Sequence, residues 1–333
     1  MKIYLAGDSI VQNYEKEEFI AGWGQFLPFF IKDGVEVVND AKGGRSSRLF
    51  INEGRFDNIE KNISAGDYLL IEFCHNDDAS KEYKTMFNRL TPLGEPDSDG
   101  RFPIILGEAM PKDYIPPEYI DALRKDENVK DKQAVLDSVY KILESYPHDT
   151  YYPYSADGSK GTYLWFLKQF VDMAREKGAV PVFVTAPART VYDANGNIKD
   201  GAGLHGGNNF AYIRAMKQLG EEAKVPVIDL FAYSCGLYKQ IGKEKIHWIT
   251  SIKKGCNKGI WPDDFNSEMQ KKETVSEDTH FNKYGAMLIT QGLVKLIKES
   301  DSSQLDGLKG MLKNPDGIDI EKYVKKPLVF EEF

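Results

Sequence analysis

A serine, a histidine and an acid in this sequence are the side chains that nucleophilic acyl transfer requires. Ser9 stands in a Gly-Asp-Ser turn near the start of the chain, and His280 lies near its end, shortly after Glu277 and Asp278. A serine hydroxyl needs a base to take its proton, and histidine can serve as that base near neutral pH. The imidazole in turn needs a carboxylate to fix its tautomer. The alternative for Ser9 is a turn residue that caps the following helix.

Acyl transfer also needs hydrogen-bond donors for the negatively charged tetrahedral intermediate. Gly44, in a glycine pair, offers main-chain N–H groups, and Asn76 offers a side-chain amide. Each residue also has a simpler interpretation, because Gly44 could only form a turn, Asn76 could cap a helix and His280 could pack in the core. Their occurrence together with Ser9, at predicted strand ends and before the last helix, favours the catalytic interpretation.

The elements that would position these residues alternate between strands and helices along the chain. Apolar, β-branched runs predict strands, and segments with helical apolar spacing lie between them. This alternation is typical of one doubly wound α/β domain with a parallel sheet, in which ligands bind at the carboxyl ends of the strands. The predicted strands begin at Lys2, Val35, Tyr68, Val180 and Val225, and the main predicted helices span 163–177, 210–224 and 283–298.

Two stretches interrupt this alternation. Residues 79–160 are rich in proline and scattered charges, with one predicted helix near Lys132–Leu143, and residues 242–272 are irregular. We expect both to be insertions into a single domain that spans residues 1–300. The charged segment 301–333 is expected to be an extension that packs on the surface.

The composition argues against some classes of binding partner and favours one cellular compartment. The formal net charge of -8 over 333 residues argues against nucleic acid and anionic membranes as partners. No apolar run approaches the roughly 20 residues that span a bilayer, and no secretory signal precedes the first strand. The three cysteines are few and far apart, which indicates free thiols and, with the other features, a cytoplasmic protein. The sequence does not specify an oligomeric state.

Four blocks of the chain resemble those of the SGNH or GDSL hydrolases. The blocks are Gly7-Asp8-Ser9, Gly44, His75-Asn76-Asp77, and an acid followed by His280. The surrounding residues are similar to the rhamnogalacturonan acetylesterase branch of that superfamily. This similarity covers residues 1–78 well, and 160–235 and 275–298 loosely. The stretches that carry it are Tyr4–Ser9, Asn39–Arg48, Glu53–Phe56 and Thr279–Phe281.

The resemblance implies a flavodoxin-like three-layer α/β/α sandwich with a five-stranded parallel sheet, no cofactor and no metal. It implies that Ser9 is the nucleophile and His280 the base. The main-chain N–H groups of Ser9 and Gly44 would form the oxyanion hole with the Asn76 side chain. Arg45, beside Gly44, and His205, in a glycine-rich loop after the fourth strand, are candidate substrate-binding residues. A solvated loop residue is the alternative for His205.

The chain departs from the family pattern at two positions. Cys74 replaces the glycine that usually precedes His-Asn-Asp, and a nucleophilic cysteine there is a conceivable alternative to Ser9. The family places an aspartate three residues before the histidine. Here Glu277 has that spacing, whereas Asp278 has that residue type, so both stay candidates for the acid that orients His280.

The favoured function is a serine esterase, a carbohydrate acetylesterase that removes acetyl groups from pectin-derived oligosaccharides. A lipase-like or thioester hydrolase is the first alternative, although the insertions are charged and tyrosine-rich rather than apolar. A non-catalytic carbohydrate-binding protein is the second. A metal phosphoesterase is the third, but its candidate ligands lack ordinary spacing and Ser9 would have no role. Those ligands are His75, Asp77, Asp78 and His280.

Overall fold

A central parallel sheet organises the computed structural model, which describes residues 1–15, 20–78, 87–199, 210–252 and 276–324. In chain order the strands are β1 Lys2–Gly7, β2 Glu36–Asn39, β3 Tyr68–Glu72, β4 Met110–Pro111, β5 Thr150–Tyr151, β6 Val180–Val184, β7 Val227–Ile228, β8 Thr250–Ile252 and β9 Ser276–Phe281. Five of them form the parallel sheet in the order β2-β1-β3-β6-β7. This is the flavodoxin-like order, so the predicted five-stranded fold is confirmed.

The strands of this sheet are apolar on both sides because helices cover both faces. In β1, Ile3 and Leu5 join one core cluster, whereas Tyr4 and Ala6 join the cluster on the other face. Side chains alternate between the faces of a strand, so a strand buried on both sides appears in the sequence as a continuous apolar run. That property makes these strands visible in the sequence.

The helices form the two outer layers. In chain order the helices are α1 Trp23–Phe26, α2 Ser47–Asn52, α3 Arg55–Asn62, α4 Pro117–Lys125, α5 Lys132–Glu144, α6 Tyr163–Glu176, α7 Ala211–Ala223, α8 Leu230–Ile241, α9 Lys283–Glu299 and α10 Asp306–Met311. One face of the sheet is covered by α1, α8, α9 and α10, and the other face by α2, α3, α6 and α7. Single 3-10 turns span Leu27–Phe30, Ile246–Trp248, Ser303–Leu305, Pro315–Gly317 and Ile320–Lys322.

The first insertion has a small core of its own, built from α4, α5 and the antiparallel pair β4–β5. Leu49 of α2 belongs to this core, which joins the insertion to the main domain. The fully buried Arg48 strengthens the junction, because its guanidinium donates to the carbonyl oxygens of Phe87, Leu90 and Tyr152 at 2.8–3.2 Å. The helix predicted near Lys132–Leu143 is α5, whereas α4 was not predicted.

The chain after β7 differs most from the sequence-based expectation. Val225–Leu230 was predicted as one strand, but only Val227–Ile228 is extended, because Asp229 caps α8 by accepting from the main-chain N–H of Ala232. His280 lies in β9, which pairs antiparallel with β8, and β8 falls in the stretch 242–272 that was expected to be irregular.

The described part of the C-terminal segment packs on the face of the sheet that carries α9. Leu305, Leu308, Met311 and Leu312 are buried in that core cluster. Within the described residues, no helix is both long enough and apolar enough to cross a membrane. The proposed boundary at residue 300 stays a prediction.

Candidate active site

Ser9 and His280 form the centre of the site, at the carboxyl end of β1. The Nε2 atom of His280 lies 2.7 Å from the Oγ atom of Ser9. The residues after β1 form a tight turn, in which the N–H groups of Val11 and Gln12 donate to the carbonyl oxygen of Asp8. Ser9 is 8% exposed, and its hydroxyl contacts the imidazole. This geometry is suited to transfer of the hydroxyl proton to His280.

The glycine loop, residues 42–45, lies beside Ser9 after β2. The main-chain N–H of Lys42 donates to the carbonyl oxygen of Gly7 at 3.0 Å, which joins this loop to the end of β1. Gly44 adopts a φ of 81°, a left-handed conformation that favours glycine. Among the hydrogen bonds of the described residues, none uses the main-chain N–H of Ser9 or of Gly44 as donor. Both groups are therefore available to an oxyanion.

Asn76 is the third predicted donor, and a buried aspartate contacts its side-chain amide. The Nδ2 atom of Asn76 donates to Asp8 Oδ2 at 3.0 Å, and the N–H of Ile10 donates to Asp8 Oδ1 at 2.9 Å. Burial raises the pKa of Asp8 to about 6, although these hydrogen bonds and the nearby His280 oppose the rise. The sequence analysis assigned Asp8 only to a turn. Its position directly before Ser9 was the one sign in the sequence that it could belong to the site.

Two further carboxyl groups are buried behind the site. Asp77 accepts from the main-chain N–H of Ser47 at 3.0 Å and from its hydroxyl at 2.5 Å, yet burial raises the pKa of Asp77 to about 7. Glu72, paired in register with Gly7, has no hydrogen-bond partner for either carboxyl oxygen in the described part of the chain. Burial, followed by the charges of Asp8 and Asp77, raises the pKa of Glu72 well above its ordinary value. This environment favours the neutral, protonated form of the Glu72 carboxyl group.

Of the two candidate acids for His280, only Asp278 has a side chain within the described part of the structure. Asp278 is exposed, and its Oδ1 atom accepts from the Thr279 hydroxyl at 2.8 Å. Its carbonyl oxygen accepts from the main-chain N–H of Thr190 at 2.7 Å, which attaches β9 to the loop after β6. The side chain of Glu277 lies outside the described part of the structure.

Two curated proteins of Bacillus subtilis are similar to the chain over most of its length. The rhamnogalacturonan acetylesterase RhgT is 30% identical over 300 residues, which is 90% of each chain. The chain belongs to the rhamnogalacturonan acetylesterase branch of the SGNH hydrolases. The probable rhamnogalacturonan acetylesterase YesY is 30% identical over 298 residues, 89% of this chain and 92% of YesY. No family model matches the chain.

A solved structure shares the fold of this SGNH hydrolase. The crystal structure of the Bacillus subtilis protein YxiM superposes with a TM-score of 0.53 and 19% identity, over 91% of this chain and 57% of YxiM. The predicted family membership and the predicted class, a carboxylic ester hydrolase, are thus confirmed by the curated relatives, and the fold by this structure.

The two candidate substrate-binding residues of this hydrolase have different outcomes. Arg45 is committed to its own loop, because its Nε and Nη2 atoms each lie 2.8 Å from a carboxylate oxygen of Glu53 and its Nη1 donates to the Gly43 carbonyl. These contacts hold Arg45 along the loop and leave it little capacity for a ligand. His205 lies outside the described residues.

Cys74 contributes to the core of the hydrolase instead of its chemistry. The side chain is 1% exposed and joins the cluster that contains α6 and α7. Burial raises the pKa of the Cys74 thiol well above its ordinary value, so the reactive thiolate is disfavoured. The described residues also contain no group of three or more His, Cys, Asp or Glu side chains that could hold a metal ion.

Proposed function

We propose that this esterase removes acetyl groups from pectin-derived, rhamnogalacturonan-like oligosaccharides, with Ser9 as nucleophile and His280 as general base. One observation carries the assignment of roles. The Ser9 hydroxyl lies 2.7 Å from His280 Nε2, beside main-chain N–H groups that have no other acceptor among the described residues. The substrate class is supported by the names of the curated relatives.

The reaction proceeds through an acetyl-enzyme. His280 Nε2 takes the Ser9 proton while Ser9 Oγ attacks the acetyl carbonyl, and the oxyanion accepts from the N–H groups of Ser9 and Gly44 and from the Asn76 amide. Collapse of this intermediate breaks the bond to the sugar oxygen, which takes the proton from His280. Water then attacks the acetyl group, again with His280 as base, and acetate leaves with Ser9 restored.

Glu277 is the acid that we assign to orient His280. Support comes from Asp278, whose carboxylate is exposed and accepts from the Thr279 hydroxyl. Asp278 stays the matched alternative, because it lies two residues before His280 in β9 and strand alternation places it on the same face of the strand, whereas the assignment of Glu277 rests on the three-residue spacing that the family resemblance implies. The two assignments are separable by substitution.

Acetate release from defined oligosaccharides tests the proposed activity. The purified enzyme is expected to release acetate from acetylated rhamnogalacturonan fragments faster than from acetylated xylan fragments, and Ser9→Ala is expected to release none above background. Binding of the fragments without acetate release would support a non-catalytic carbohydrate-binding protein instead.

The length of the acyl group separates the acetylesterase from a lipase-like enzyme. If the site held an apolar channel, each added buried methylene would strengthen binding by roughly 0.8 kcal/mol. The insertions are charged and tyrosine-rich, so we expect no such channel and a fall in kcat/KM for nitrophenyl esters from acetate to octanoate. A rise along this series would contradict the acetylesterase and favour the lipase-like alternative.

A cytoplasmic location is a separate part of the proposal. Support comes from Cys74 and Cys235, which are both free thiols, as is usual in reducing compartments. Fractionation of the native host cells, followed by immunodetection, tests this location directly, and recovery from the medium or the cell envelope would contradict it.

A further inference from the structure

The loop after β6 contacts both sides of the active site. The Nε atom of Arg189 donates to Nδ1 of His75 at 3.4 Å, a long hydrogen bond to the residue directly before Asn76. The main-chain N–H and the hydroxyl of Thr190 donate to the carbonyl oxygen of Asp278 in β9, at 2.7 and 3.3 Å. Two adjacent residues of one loop therefore connect the turn that carries the proposed oxyanion amide with the strand that carries the proposed base.

The start of this loop is fixed in the core. The main-chain N–H of Ala188 donates to the Ser234 hydroxyl of α8 at 2.8 Å, and that hydroxyl donates to the carbonyl oxygen of Phe231 at 2.8 Å. Ala188 and Ser234 are both buried. The position of Arg189, which follows directly, is therefore set by the main domain, and its side chain can transmit that position to the turn after β3.

The contact between Arg189 and His75 has a defined direction. A guanidinium has no acceptor, so Nε donates and Nδ1 of the imidazole accepts. A neutral imidazole in this contact keeps its proton on Nε2. His75 is buried as well, so the contact restrains both the ring and the main chain that leads to Asn76.

Asp8 is a second connection between Arg189 and Asn76. Oδ2 of Asp8 accepts from the Asn76 amide, and Oδ1 accepts from the main-chain N–H of Ile10. Protonation would turn one of these two acceptors into a donor. The charge of Arg189 lowers the pKa of Asp8 and so favours the carboxylate, which is the form that accepts from both groups.

The other charged groups that face Asp8 act in both directions. Burial is the largest cause and raises the pKa of Asp8 to about 6, whereas the charge of His280 lowers it. The buried Glu72 and Asp77 also interact with Asp8, and each repels its carboxylate when ionised. Arg189, unlike His280, keeps its charge throughout the neutral range. It therefore stabilises the carboxylate of Asp8 even when His280 is neutral, as a general base must be before the reaction.

We infer that Arg189 is a positioning residue for Asn76, which it reaches through its contact with the turn that carries the amide and through its charge near Asp8. The inference rests on the proposed function, in which Asn76 donates to the oxyanion, and adds the residue that keeps this donor in place. The oxyanion exists only after the attack of Ser9, so the role acts on kcat rather than on binding of the substrate.

Steady-state kinetics on nitrophenyl acetate over a series of pH values test the inference. Arg189→Met removes both the donor and the charge, and should lower kcat about 10-fold with KM little changed. The kcat of the wild type is expected to rise with pH. In Arg189→Met this acid limb should move to higher pH, because the carboxylate of Asp8 loses a nearby cation.

Two other substitutions of Arg189 separate the contact from the charge. Arg189→Lys keeps the charge and should hold the acid limb at its wild-type position, while it regains only part of kcat because it lacks the planar fork. Arg189→Gln keeps an N–H donor without the charge and should show the displaced limb. A merely structural role would lower the unfolding temperature without moving the limb.

A double variant shows whether Asn76 is the target. In the Asn76→Ala background, Arg189→Met should add less than about twofold to the loss of kcat and should leave the limb in place. A limb that moves equally in both backgrounds would show a direct effect on His280 and would overturn the inference. Arg175→Ala is the matched control, since its Nη2 donates to the carbonyl oxygen of Ala223 at 2.6 Å, at the end of α7. It should leave kcat and its pH profile unchanged.

The outcomes separate the inference from the proposed function. If Arg189→Met keeps the wild-type kcat, or loses the same factor with and without the Asn76 amide, the positioning role is wrong while the esterase stands. If the wild type does not hydrolyse nitrophenyl acetate, or Ser9→Ala is equally active, the proposed function fails and the inference fails with it. If thermal unfolding shows that Arg189→Met does not fold, Arg189→Gln takes its place in the same comparison.

Discussion

The two sides of the active site are built in different ways. The oxyanion side consists of the turns after β1, β2 and β3, which are neighbours in the central sheet. Buried polar groups tie these turns together. Asp8, in the turn after β1, accepts from the side chain of Asn76 in the turn after β3. Asp77, in that same turn after β3, accepts from the main-chain N–H of Ser47, the first residue of α2. The proposed oxyanion donors therefore lie in turns that neighbouring strands of the sheet position directly.

The histidine side is docked onto that sheet from outside. His280 lies in β9, which pairs with β8 in a separate two-stranded sheet. Asn282 holds this sheet to the body of the protein, since its side chain donates to the carbonyl oxygen of Trp248 at 2.7 Å and caps α9. The comparison indicates that the proposed oxyanion donors follow strands of the central sheet directly, whereas the described contacts of β9 attach the proposed base to that sheet from a separate pair of strands.

Replacement of Ser9, which lies between the two sides, should have the largest effect on kcat. Ser9→Ala removes the nucleophile, so kcat is expected to fall by about three to six orders of magnitude, while the fold is retained. Steady-state kinetics measure the loss, and a serine-directed phosphonate should label Ser9 in the wild type. Labelling of Cys74, or an active Ser9→Ala enzyme, would refute the assignment.

The acids before His280 test the histidine side. An amide in place of the orienting acid keeps the shape but favours the wrong imidazole tautomer, which costs about 10⁴-fold in another triad. We expect Glu277→Gln to show a loss of this order and Asp278→Asn, its matched control, to stay within about tenfold of the wild type in kcat. Near-full activity of both variants would mean that neither carboxylate orients His280.

The pair Asp8 and Asn76 tests the oxyanion side. Asn76→Ala should lower kcat about 10²- to 10³-fold by loss of one oxyanion donor. In Asp8→Asn, one of the two acceptor oxygens becomes an NH₂ group, so the side chain can no longer accept from both the Ile10 N–H and the Asn76 amide, and its hold on the orientation of Asn76 is weakened. We expect a loss of about 10- to 100-fold in kcat with KM little changed.

The double variant distinguishes orientation from a general structural role of Asp8. If Asp8 acts by orienting Asn76, Asp8→Asn should add little to the loss already present in Asn76→Ala. Equal factors in the two backgrounds would show that Asp8 acts independently of the amide. Thermal unfolding of the three variants controls for loss of the fold.

Much of the oxyanion side was predictable from sequence, and the physical reason is the sheet. Doubly buried strands appear as apolar runs, and the polar residues that follow them meet at one edge. The histidine side was harder, because β9 reads Ser-Glu-Asp-Thr-His-Phe and has no apolar alternation. The contact of Asp8 with Asn76 depends on strand register, which no local pattern encodes.

The smallest expected effect concerns stability, and it arises behind the oxyanion side. Burial raises the pKa of Asp8 to about 6, that of Asp77 to about 7, and that of Glu72 well above its ordinary value. Carboxyl groups of the unfolded chain titrate near pH 4, so the folded protein binds more protons between about pH 4 and 7. The free energy of unfolding should therefore fall as the pH rises through this range.

Urea unfolding at a series of pH values measures this slope, to which each group contributes at most about 1.4 kcal/mol per pH unit. Asp77→Asn should flatten the slope, because the amide does not titrate and can still accept from Ser47. Asp99→Asn, at an exposed carboxyl group in the first insertion, is the control and should leave it unchanged. An unaltered slope in Asp77→Asn would contradict the raised pKa of Asp77.

The buried Arg48 bears on how the first insertion entered this fold during evolution. Its described hydrogen bonds all run to main-chain carbonyl groups of the inserted segment, so they bind the path of the chain and not its side chains. The side chains of the inserted segment can therefore vary while the hydrogen bonds of Arg48 to its main chain are kept. Deletion of the segment would remove all of these described acceptors at once. Variants without the insertion should consequently tolerate other residues in place of Arg48.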